Sequence, residues 1–158
     1  MLDRRSFLQA AAKTATAAAV TTRLEPLFAQ PSQAASTPTS PNDNIQLALI
    51  GAGIQGQGDT KTAIQVPGVK LVAVADCYDG RLAHSKELWG ADIFTTRDYR
   101  EILSRKDVDA VLIATPHYQH TSLGIAALEN GLHVMVEKPI SAHKADAERL
   151  IAAHLNPY

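Results

Sequence analysis

The sequence is poor in several features that would direct it elsewhere. A single cysteine, Cys77, excludes an intrachain disulfide framework and any multi-cysteine metal site. Positive charge is not in excess: 15 Lys and Arg stand against 16 Asp and Glu, for a net charge of -1. That leaves no electrostatic footprint for nucleic acid or for an anionic membrane surface. An unbroken apolar run of the roughly 20 residues that a membrane-spanning helix needs is also missing. The best approach to one, "AAAKTATAAAV" at 10–20, is interrupted by Lys13 and its threonines. No internal repeat is visible. What is present is 158 residues, 46% hydrophobic and 20% charged, enough for one globular domain with a core and a short additional segment.

That segment is N-terminal. "DRRSFLQ", residues 3–9, sets the pair Arg4 and Arg5 just ahead of Phe7 and Leu8, and the weakly apolar Ala-rich run and "LFAQ" follow. The order resembles a twin-arginine export signal over residues 1–29, which implies a periplasmic destination. Residues 30–44, "QPSQAASTPTSPNDN", are rich in Pro, Ser and Thr without periodicity and read as a flexible linker.

From Ile45 to the end at Tyr158 the chain alternates short apolar runs with helical patterns, which predicts βαβ units and a doubly wound parallel sheet of the Rossmann type. Strands are expected at 45–50, 69–76, 92–95 (a weak run), 110–115 and 132–137, and helices at 54–65, 79–89, 98–104, 118–130 and 142–154. Most of the strands are nearly continuous in apolar character, as strands covered on both faces must be. Gly90 and Gly131 stand where helix C-caps need positive φ, and Ser141 where the last helix needs an N-cap.

"GAGIQG", Gly51 to Gly56, follows the first strand directly and opens a helix. In that setting Gly51 makes the tight turn, Gly53 lets the backbone approach a pyrophosphate, Gly56 permits close helix-strand packing, and Ile54 and Gln55 begin the helix. The helix N-terminus then offers N–H groups and about half a positive charge to phosphate. Asp76 lies 20 residues beyond Gly56 at the end of the second strand, where such folds place an acid on the adenosine ribose. A carboxylate there repels the extra phosphate of NADP, so the expected cofactor is NAD, with Arg81 and Lys86 near enough in sequence to soften the choice.

At the far end of the sheet, Pro116 in "ATPHYQH" (114–120) marks a turn. His117 and His120 there read as loop and helix N-terminal residues; without a third ligand nearby they do not suggest a metal site. His84, His133, His143 and His154 read as surface or strand residues, and Leu82, Leu88 and Trp89 as core.

Taken in order, "GAGIQG", "VAVAD", "ATPHYQH" and "ALENGLHVMVEKPIS" resemble the cofactor domain of the glucose-fructose oxidoreductase, inositol dehydrogenase and MocA (Gfo/Idh/MocA) family, from about Ile45 to Leu150. "EKP" is the most distinctive element. The resemblance implies that Thr115, Pro116, His120, Glu137 and Lys138 line the nicotinamide pocket and that Lys138 acts at a substrate hydroxyl during hydride transfer, the substrate being a sugar, polyol or related compound. It further implies a sixth strand and a substrate domain after the last helix, whereas this sequence stops at "HLNPY". Three readings follow: an exported oxidoreductase represented by an incomplete chain and inactive alone, a stand-alone nucleotide-binding module or pseudoenzyme, and a truncation product that never folds stably. An uncovered fifth strand is expected to favour self-association.

Overall fold

A computed structural model describes residues 44–155. The expected leader, all of the linker but Asn44, and residues 156–158 lie outside the described residues. The strands are β1 (Ile45–Ile50), β2 (Val69–Ala75), β3 (Phe94–Thr96), β4 (Ala110–Ile113) and β5 (His133–Val136). The helices are α1 (Ile54–Ala63), α2 (Asp79–Trp89), α3 (Tyr99–Leu103), α4 (His120–Glu129), preceded by a 3-10 turn at His117–Gln119, and α5 (Lys144–Leu155). All strand pairs are parallel, in the order β3-β2-β1-β4-β5. This is the expected Rossmann-like sheet.

The apolar runs build it because each strand has two faces to bury. On β1, Leu47 and Leu49 point to one side and Ala48 and Ile50 to the other, all buried, as the two-residue period of a strand requires. The first side packs with Val74, Leu112 and Leu82 of α2. The second packs with Val111, Ile113, Ile102 and Leu103 of α3, and Leu123 and Ala127 of α4. Each fully buried Leu or Ile contributes roughly 1.5–3 kcal/mol relative to exposure. α5 lies against α4: a Cβ added at Gly124 would come 2.9 Å from Leu150 Cδ1.

Register decides where function can sit. Ile50 pairs with Ala75 and with Ile113, Ala75 with Thr96, and Ile113 with Val136. The five strands therefore end level, and the residues that follow them, Gly51, Asp76, Arg97, Ala114 and Glu137, form one rim.

Several boundaries differ from those expected. β3 runs from Phe94 to Thr96 rather than 92–95, because Ile93 is the buried anchor just before the ladder begins. Asp98 then caps α3, accepting the Arg100 N–H at 3.0 Å. β4 ends at Ile113, leaving Ala114 and Thr115 in the turn. Gly90 and Gly131 have φ of 111° and 77°, in keeping with their expected places after helices. Ser141 does not hold the N-cap position, since α5 begins at Lys144. Its hydroxyl accepts the His143 N–H at 3.1 Å, closing a local turn before the helix.

Candidate functional site

The site is built from the loop after β1 outward. Gly51 has φ +98°, and a Cβ there would stand 2.7 Å from Ala114 C and 2.8 Å from Thr115 N, so only glycine lets the loop lie against the β4 turn. A Cβ at Gly56 would meet Gly51 O at 2.2 Å, which makes glycine the condition for seating α1 on the sheet. Gly53 differs: a Cβ there would find only Arg81 Cζ, at 4.0 Å. The chain therefore leaves open the approach that a pyrophosphate needs. α1 has no side-chain cap and no acid in its first turn, so nothing on its N-terminal end competes with an anion.

Asp76 fastens this loop to β2. Its side chain is 6% exposed. Oδ2 accepts the Ala52 N–H at 2.8 Å and faces Arg81 Nη1 at 3.4 Å, while Oδ1 accepts the Tyr78 N–H at 2.9 Å. A carboxylate has about four lone-pair positions, so Oδ1 keeps capacity for a ribose hydroxyl. The acid thus shapes the phosphate loop as well as facing the cavity.

A cavity of about 500 Å³ runs along the rim, lined by Gly51, Gly53, Ile54, Gln55, Asp76, Arg81, Thr115 and Pro116 among others. These eight were all singled out in the sequence. Thr115 Oγ1 is itself buried, without a hydrogen-bond partner, so Thr115 lines the cavity through its other atoms. An open Gly53, an uncapped helix end and a partly engaged Asp76 together fit a dinucleotide.

Glu137 and Lys138 stand apart from this cavity. They line an adjoining apolar groove with Val136, Ile140 and Leu150. Glu137 connects the two regions: Oε1 lies 3.5 Å from Gln55 Nε2, and Oε2 accepts the Lys138 N–H at 3.0 Å. Lys138 is exposed at the tip of β5. His120, expected in the pocket lining, has a different place. It is 2% exposed, with Nε2 2.8 Å from Thr115 O and Nδ1 2.8 Å from Pro139 O. The first residue of α4 faces inward between the loops that follow β4 and β5, where both ring nitrogens meet backbone carbonyls.

The cavity also contains residues that sequence reasoning did not select: Cys77, Arg97, Tyr99, Tyr118 and Gln119. Arg97 follows β3 as Asp76 follows β2, and the displaced expectation for β3 hid that equivalence. His117 and Tyr118 are exposed, as are His84, His133, His143 and His154. Among the described residues no group of three His, Cys, Asp or Glu side chains is placed to hold a metal ion, and no helix is long and apolar enough to cross a membrane.

Comparison with known proteins agrees with this geometry. Residues 45–155 match the Gfo/Idh/MocA oxidoreductase family, described as having an NAD-binding Rossmann fold. Inositol 2-dehydrogenase of Salmonella typhimurium is 30% identical over 110 residues, covering 69% of this chain and 33% of the relative. Glycosyl hydrolase family 109 protein 2 of Shewanella sp. (strain ANA-3) is 32% identical and covers 88% of this chain and 34% of its own, an extent that reaches into the segment ahead of residue 44. Among solved structures, an NAD-binding protein from Listeria innocua superposes with a TM-score of 0.67 at 28% identity, over 72% of this chain and 33% of its own. The chain spans about a third of the length of the relatives it matches.

Proposed function

The chain belongs to the Gfo/Idh/MocA oxidoreductase family through its NAD-binding Rossmann domain, and on that premise we propose that it is the cofactor-holding part of an exported oxidoreductase acting on a sugar, polyol or related hydroxyl compound. The observation that carries the reading is the open Gly53 beside an Asp76 that binds the same loop. Gly51, Gly53 and the first turn of α1 would hold the pyrophosphate, Asp76 the adenosine ribose, and Thr115 and Pro116 the nicotinamide end. When bound, NAD supplies the carbon that accepts or returns a hydride.

The remaining chemistry belongs to Lys138. It stands exposed at the end of β5, where its amine would hold or remove the proton of a substrate hydroxyl. NAD is favoured over NADP by the buried Asp76 carboxylate, although Arg81 and Arg97 both line the same cavity and lessen the discrimination. The name of the Salmonella relative supports a polyol substrate, and that of the Shewanella relative supports a glycoside.

Two further parts of the reading have their own support. "DRRSFLQ" and the Ala-rich run behind it favour export by the twin-arginine route, a route that carries folded proteins and so lets cofactor load in the cytoplasm. Among the described residues β5 is the outermost strand of the sheet, with Met135 52% exposed, which favours self-association.

The test is to supply NAD and a panel of polyols and sugars and to measure NADH. The 158-residue chain is expected to bind NAD without turnover, because the other acid and base groups would come from a second domain of the kind its longer relatives have room for. Turnover by this chain alone would show that Lys138 and its neighbours suffice. The alternative, a stand-alone nucleotide-binding module, is separated by the coding sequence beyond codon 158: a continuing substrate domain supports the oxidoreductase, and an intergenic region supports the module.

A further inference from the structure

We propose that His120 is a positioning residue that locks the Lys138–Pro139 tip to the turn after β4, fixing the backbone from which Lys138 reaches its substrate. The proposal rests on the reading that Lys138 acts beside the cofactor.

β4 and β5 are held together by their ladder as far as Ile113 and Val136, and by the Glu137 N–H on Ile113 O at 2.9 Å. Beyond that point the strands diverge into two loops. The His120 ring lies between them, with Thr115 O 2.8 Å from one nitrogen and Pro139 O 2.8 Å from the other. These carbonyls come from positions 5 residues before and 19 residues after the histidine, so the ring joins segments that are far apart in the chain. Both carbonyls only accept; a neutral imidazole donates to one of them at a time, and a ring with both protons donates to both.

The residue type follows from the shape of this gap. Imidazole carries its two nitrogens on separate edges of a flat ring, whereas a carboxamide carries all its N–H groups on one atom. With an apolar side chain in its place, two part-buried carbonyls would lose this partner. The loss would be felt first where least else holds the chain, at the exposed Lys138 and Ile140.

The experiment is amide hydrogen exchange on the full chain as His120→Leu and His120→Gln, without cofactor. The Leu variant should speed exchange about tenfold at Glu137 and Lys138, whose N–H groups are held by Ile113 O and Glu137 Oε2, the effect of losing about one hydrogen bond, while Leu112 and Ala127 keep their protection. The Gln variant, which can satisfy one carbonyl, should fall between. It carries the comparison by itself if the Leu variant does not fold. Uniform acceleration across the domain would make His120 a core filler, and no change at Glu137 and Lys138 would remove the lock; either result overturns the proposal.

A second readout separates position from binding. With Lys138 carrying ¹³C-methyl groups, NAD should shift its methyl resonance in the native chain. In the Leu variant NAD affinity should stay within about threefold and that shift should disappear. An unchanged shift overturns the positioning role. If NAD shifts nothing in the native chain, the cofactor reading fails, and the exchange pattern still decides for or against His120.

Discussion

Gly53, just before α1, and Gly56, in its first turn, sit three residues apart and should respond to the same substitution in opposite ways. A methyl at Gly56 would stand 2.2 Å from Gly51 O and 3.1 Å from both Ala114 Cβ and Leu49 Cδ1. One of these partners is backbone and the others are packed, so either the loop or α1 must move by most of an ångström. Overpacking of this kind costs about 1–3 kcal/mol, and each kcal/mol lowers Tm by about 4 °C or more in a domain of this size. Gly56→Ala should therefore melt several degrees early. Gly53 has φ -73° and ψ -176°, extended backbone that alanine adopts freely, with no atom nearer than 4.0 Å. Removing glycine's freedom from the unfolded chain then stabilises the fold by about 0.4–1 kcal/mol. Gly53→Ala should melt at or above the native temperature and yet lose tenfold or more in NAD affinity, about 1.4 kcal/mol, because its methyl stands where the pyrophosphate approaches. Thermal circular dichroism without NAD and calorimetric titration with it measure the two halves. Native-like melting of Gly56→Ala, or native NAD affinity in Gly53→Ala, would refute the geometric argument.

Asp76→Ala removes the acceptor for two backbone N–H groups and the partner of Arg81; it should cost about 1–3 kcal/mol in denaturant unfolding and narrow the preference for NAD over NADP in calorimetry. Lys138→Met, at an exposed position, should leave Tm unchanged and NAD affinity within about threefold, so a large loss of either would place Lys138 in binding or folding instead of catalysis. Met135→Lys places a charge on an exposed face of the outermost strand and should suppress self-association in sedimentation measurements; equal association of both forms would move the contact away from β5. Replacing Arg4 and Arg5 by Lys should retain the protein in the cytoplasm, and unimpaired export would dismiss the twin-arginine reading.

The parts of this molecule that could be read from sequence are those fixed by local chemistry. β1, the glycine loop, α1 and Asp76 were legible because strand, turn and helix each need particular residue types within a few positions, and glycine has no substitute at Gly51 and Gly56. The doubly wound parallel class was legible in the alternation of strands and helices, and the handedness and reach of such connections leave few strand orders. β3 was less legible. Three residues do not establish a period, and Asp92 and Ile93 resemble a strand start as much as Phe94 does. Arg97 was lost with that boundary, since its place on the rim depends on the pairing of Thr96 with Ala75. His120 was noticed for the wrong reason: its sequence neighbours Thr115 and Pro116 do line the cavity, but whether a residue at the first turn of a helix faces ligand or core depends on carbonyls contributed from Pro139, 19 residues away. Ser141 shows the same limit on a smaller scale, because a hydroxyl before a helix can close a turn as readily as cap.

The central claim is that NAD binds along the carboxyl rim of this sheet, with its pyrophosphate at Gly53. The most direct measurement is an ¹H–¹⁵N correlation spectrum of the chain titrated with NAD, which registers weak binding as readily as tight. Saturable shifts are expected at Gly53, Ile54, Gln55, Asp76 to Tyr78 and Thr115, with β3-side residues Arg97 and Tyr99 also moving and the α5 amides still. Shifts confined to α5 and the outer face of β5, or a spectrum unchanged by millimolar NAD, would contradict it.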